Sequence, residues 1–160
     1  MISISPSRAF ASAPPRRPAV LCIKGPDGST DMVMTQWFSW LNMTRNPMIS
    51  YAMETTLNLG LNVKDNDETY LAFPPVKDAL LYKAGIRTAY EGKEKTLTKG
   101  ITPVIVPNVP VQVPDKTEVL LRCTIAGNYK YPFKKVRIYN CNLEEALAEP
   151  GEDEIIVTAD

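Results

Sequence analysis

Apolar residues in this chain come in short runs, and each run ends at a turn signal or a proline. Residues 19–24 read AVLCIK and stop at Gly25-Pro26-Asp27-Gly28-Ser29. Such punctuation leaves room for strands and brief helices, not for long ones. Residues 31–41, DMVMTQWFSWL, follow as one long strand that forms a β-hairpin with the first run. Arg45-Asn46-Pro47 breaks the chain, and residues 48–53, MISYAM, make a third strand. Residues 68–73, ETYLAF, make another, stopped by Pro74-Pro75. Pro103, Pro107, Pro110 and Pro114 forbid a continuous central strand over residues 101–114, which are expected as an edge segment or connector. Two further strands fall at 118–126 and 134–141, and residues 152–159 close the chain as a last strand or tail.

Three stretches carry a helical signature. Over residues 54–65, Leu57, Leu61 and Lys64 lie near one face, and Thr55 or Thr56 can cap the start. Residues 76–85 have short-helix spacing with Gly85 as the stop, and residues 143–149 read as a helical turn. About seven short strands with one or two helices predict a mainly β fold, a barrel with short helical insertions. Residues 1–18 are rich in Ser, Ala and Pro and are expected as an extended N-terminal arm, with residues 19–160 forming one domain.

Composition narrows the chemistry. The chain of 160 residues carries 18 basic and 18 acidic side chains, so a general affinity for nucleic acid is not expected. Histidine is absent, which removes the usual Ser-His-Asp and Cys-His nucleophiles and the commonest zinc ligand. Cys22, Cys123 and Cys141 form no C-x-x-C pair and sit in apolar stretches. They read as buried, reduced thiols of a cytoplasmic protein. No apolar run is long enough to cross a membrane as a helix, and no metal site is expected.

The order of particular segments adds more. The opening hairpin, then Asp31-Met32-Val33-Met34-Thr35-Gln36-Trp37, then Asn46-Pro47-Met48-Ile49-Ser50 resembles the flavin reductase-like family. The likeness continues through Glu68-Thr69-Tyr70-Leu71-Ala72-Phe73-Pro74 and Lys95-Thr96-Leu97-Thr98-Lys99-Gly100-Ile101-Thr102-Pro103, and ends in the strand carrying Arg122-Cys123. The resemblance covers roughly residues 15–139. It implies a split β-barrel, non-covalent FMN and a homodimer with flavin sites near the subunit interface. It also implies either hydride transfer from NAD(P)H to flavin or, as the alternative, electron transfer with a redox partner protein. A barrel that has lost its cofactor and serves as an interaction module is the third reading.

Carried over by position, the resemblance puts Asp31, Met34, Thr35, Gln36 and Trp37 along the flavin, and Thr55, Thr56 and Lys95 at its phosphate. Members often have Asn where this chain has Asp31, and many carry a His on the late strand that is missing here. The residue types suit the cofactor. A phosphate dianion needs hydroxyls, backbone N–H groups and positive charge. The flavin ring needs an apolar wall and backbone groups near its reactive edge. Thr55 and Thr56 serve equally as helix caps, and Phe38 and Trp40 are expected in the core or at a dimer contact. The aromatic run and the proline-rich segment offer more apolar surface than a small barrel needs, which also points to a homodimer.

Overall fold

The computed structural model describes residues 18–25, 28–42, 45–54, 63–79, 101–132 and 135–148. Within them lie β1 (Ala19–Lys24), β2 (Thr30–Thr35), β3 (Phe38–Asn42), β4 (Met48–Glu54) and β5 (Glu68–Phe73). A single turn of helix, α1 (Val76–Ala79), follows, and then β6 (Pro103–Ile105), β7 (Gln112–Pro114), β8 (Val119–Lys130) and β9 (Val136–Ala148). Seven strands form one sheet in the order β2-β1-β5-β8-β9-β4-β3, antiparallel throughout, and β6 and β7 pair as a separate ribbon.

This order forces the sheet to curl. β2 and β3 lie at opposite edges, yet Gln36 and Trp37 alone connect them. In a flat sheet those edges would stand about 29 Å apart. Two linking residues can bridge at most about 11 Å. The edges must therefore meet, and the Trp37 carbonyl accepts a 2.8 Å hydrogen bond from the Ala52 N–H of β4 at the seam. Irregularities in β8–β9 pairing, at Arg122/Cys123 and Ile125/Gly127, interrupt the long hairpin. Its base, residues 119–124, pairs with β5, and the β9 residues of its tip, 136–142, pair with β4. Bulges of this kind let one strand bend and serve two parts of a barrel.

Alternation then sorts the side chains. Leu21, Ile49, Tyr51, Leu71, Leu121, Ile125 and Tyr139 belong to one buried cluster, the barrel interior. The Tyr51 and Tyr139 rings stack at 5.4 Å, and the Tyr51 hydroxyl donates to Oγ1 of the fully buried Thr69 at 3.1 Å. Val20, Cys22, Tyr70, Ala72, Leu120, Val111 and Val113 form a second cluster on the outer face, closed by the proline-rich segment. Each valine, leucine or isoleucine so buried contributes about 1.5–3 kcal/mol.

The hairpin of the first two strands forms as expected, with Gly28 at φ 84 in its turn and a 3.0 Å bond from its N–H to the Gly25 carbonyl. The proline-rich segment is a separate two-stranded ribbon packed on the face of the main sheet and not one of its edges, and β5 keeps the expected limits. Three expectations are corrected. Residues 31–41 are two strands, not one, because the chain changes edges at Gln36 and Trp37. Residues 143–148 continue β9 and do not form a helical turn, since pairing with β8 overrides the helix propensity of Glu-Glu-Ala-Leu-Ala. Of the helix expected within 54–65, the last residues, 63–65, are not helical. Glu54 ends β4, and Asp65-Asn66 form a turn that docks on β8 through the Asn66 N–H and the Ile125 carbonyl. Residues 55–62 and 80–85, the arm at 1–17 and the tail at 152–159 lie outside the described residues.

Candidate functional site

The seam between the two sheet edges gathers the central residues of the expected site. Thr35 ends β2 nearly buried, at 8% exposure, and its Oγ1 accepts a 3.0 Å hydrogen bond from the Trp37 N–H. Thr35 thus fixes the backbone of the crossing with its own side chain. Trp37 is held from the other side through its carbonyl and Ala52, yet its indole remains 46% exposed. A backbone anchored at both N–H and C=O presents a large, flat apolar group to solvent. Next to it Phe38 turns inward and meets Phe73 edge to face at 5.6 Å.

The other expected site residues divide. Asp31 shares the face of Val33 and Thr35, opposite Ile23, but stands about 13 Å from Thr35 along the strand. Met34 points to the opposite face and packs on the outer cluster. Gln36 is half-buried within the crossing. Thr55 and Thr56 continue directly from β4, whose last residues run beside Trp37, but both lie outside the described residues, as does Lys95. The structure therefore joins Thr35, Gln36 and Trp37 to the end of β4 and keeps Asp31 and Met34 apart from them.

A cation that sequence reading did not single out stands one strand beyond β4 from the seam. Arg137 of β9 is the cross-strand partner of Met53, and its guanidinium donates to the Asn128 Oδ1. Asn128 in turn donates from Nδ2 to Asp65 at 2.6 Å. No local pattern marks Arg137, because only the long-range pairing of β9 with β4 brings it there. The thiols are inert by comparison. All three cysteines are free and buried, and burial pushes Cys22 far up and Cys123 and Cys141 up to about 12. They are neutral at physiological pH and unsuited to nucleophilic work. Among the described residues, no cluster of three or more His, Cys, Asp or Glu could hold a metal ion, and no helix is long and apolar enough to cross a membrane.

This architecture is the split β-barrel of the flavin reductase-like proteins. The styrene monooxygenase flavin reductase of Pseudomonas putida superposes with a TM-score of 0.67 at 7% identity, over 92% of this chain and 88% of that one. An FMN-binding protein of Thermus thermophilus gives 0.65 at 14% identity, over 94% and 82%. Flavoredoxin of Methanosarcina acetivorans gives 0.63 at 13% identity, over 94% and 76%. No protein-family model and no curated protein sequence matches the chain.

Proposed function

We propose that this chain is an FMN-binding oxidoreductase that passes hydride from NAD(P)H to flavin. The observation that carries the reading is the seam, where an exposed, doubly anchored Trp37 lies beside the strand that leads into Thr55 and Thr56. Trp37 would cover one face or edge of the flavin ring, with Thr35 holding its backbone in place. Thr55, Thr56 and Lys95 would hold the phosphate through hydroxyls and charge. Bound flavin supplies the hydride chemistry, and the chain positions it and limits water access.

The chain would act as a homodimer in a reducing cytoplasm. Trp40 and Leu41 on the β3 edge are 40% and 54% exposed, an apolar surface of the kind that a second subunit covers. The fully buried free thiols suit a reducing compartment. Near-ultraviolet and visible absorbance of the purified protein tests the reading. A yellow protein with two flavin bands that bleach anaerobically on adding NADH or NADPH is the expected result. Flavin bands that do not bleach would leave an electron-transfer role with a redox partner protein. A colourless protein that does not take up FMN would overturn the proposal.

A further inference from the structure

Away from the seam, α1, the β6–β7 ribbon and the turn into β8 line an open groove of about 500 Å³, the size of a small-ligand site. α1 contributes Lys77 and Asp78, and the turn contributes Lys116 and Glu118. Val106 and Val113 give it an aliphatic wall, with Val113 fully buried beneath. Two features set it apart from ordinary surface. Asp78 Oδ2 is buried and, among the described residues, has no hydrogen-bond partner. Lys116, which also lines the groove, sits at φ 57, in left-handed backbone that residues other than glycine seldom adopt.

We infer that this groove binds a small zwitterion with an aliphatic body, an α-amino acid such as leucine being the simplest. The argument is complementarity. Among the described residues that line it, lysines and carboxylates stand side by side, so a ligand bearing one charge meets repulsion as well as attraction, whereas one with both signs can meet a partner for each. An unmet buried acceptor is a standing cost that an ammonium N–H removes. The carboxyl torsion of an aspartate is broad, so a modest turn offers that oxygen to the groove. The ligand carboxylate then meets Lys77 and Lys116, and the side chain covers the valines. The inference stands apart from the flavin reading, since none of these residues belongs to the seam.

Calorimetric titration of the full chain with L-leucine, 4-methylpentanoate and isoamylamine tests it. The last two lack the amine and the carboxylate respectively. Saturable binding of L-leucine near or below about 1 mM is expected, with each analogue at least tenfold weaker. Lys116→Gly should weaken L-leucine at least tenfold while the thermal midpoint holds or rises, because glycine relaxes a positive φ. Asp78→Ala should abolish the preference for L-leucine over 4-methylpentanoate. No saturation by about 10 mM, equal binding of the three probes, or unchanged affinity in a folded Lys116→Gly would each overturn the inference. Flavin content is not read in any arm, so loss of the flavin reading leaves this test intact.

Discussion

β1 and β3 are both short and both rich in large apolar residues, yet they live in different surroundings. In β1, Ala19, Val20, Leu21 and Cys22 are wholly inaccessible, whereas in β3 Trp40 and Leu41 are substantially exposed. β1 lies between β2 and β5, with the barrel interior on one face and the proline-rich ribbon on the other. β3 is a sheet edge, and only Phe38 reaches the interior cluster. Burial on two faces makes a strand read as an unbroken apolar run, and burial on one makes it alternate. One half of this barrel is therefore a three-layer structure held by side chains, and the other half is a single wall with its outer surface open.

The sharpest way to break that contrast is to remove volume from the doubly covered half. Leu71→Ala, at a fully buried position of β5, should cost about 2–5 kcal/mol in a urea melt. A cost under about 1 kcal/mol would mean that the interior is loosely filled. Tyr51→Phe tests the polar link between the halves. It strands the Thr69 hydroxyl in the interior and should cost about 1–3 kcal/mol by the same measurement. At the junction itself, Trp37→Ala should weaken FMN binding about tenfold, or about 1.4 kcal/mol, with little change in stability. Equal affinity in wild type and variant would remove Trp37 from the site.

A gentler perturbation is alkali. Burial holds the Cys123 and Cys141 thiols protonated up to about 12, against an ordinary value of 9.0. Between those values the unfolded chain sheds protons that the folded chain keeps. The stability that these thiols contribute should therefore be constant below about pH 9 and fall as pH rises towards 12. A thermal midpoint that does not drop above pH 9, or that drops equally in a Cys123→Ala and Cys141→Ala double variant, would discount the thiols. The smallest effect is expected at the exposed end of β8, where Tyr129 meets Tyr131 edge to face and Tyr129→Ser should shift stability by no more than about 1 kcal/mol. A larger cost there would show that something covers this face.

The same contrast explains what could be read from residues alone. β5 is legible because Pro74 and Pro75 end it and both faces are apolar. β1 is legible for the same reason. The break at Gln36 and Trp37 is not, since DMVMTQWFSWL contains no Gly or Pro and the crossing is imposed by closure of the whole barrel. Nor is the end of β9, where helix-forming residues become strand because β8 is beside them. Within the candidate site, Thr35 and Trp37 were recognisable by resemblance, but their neighbours were not equally so. Period-two alternation places Met34 on the far face from Thr35, and strand length carries Asp31 away. Arg137, Asp78 and Lys116 depend on contacts between distant segments, which no local pattern records.

The two-residue seam also governs how this protein can vary in length. A hoop closed by so short a clasp has no slack. One residue added between Thr35 and Phe38 would have to bulge out of the crossing or exchange the inward and outward sides of β3, and one removed would pull the rims past each other. Insertions and deletions should thus accumulate in other connections while residues 36 and 37 keep their number even if their identities drift. In this barrel the length of a link, and not only its chemistry, sets what the fold tolerates.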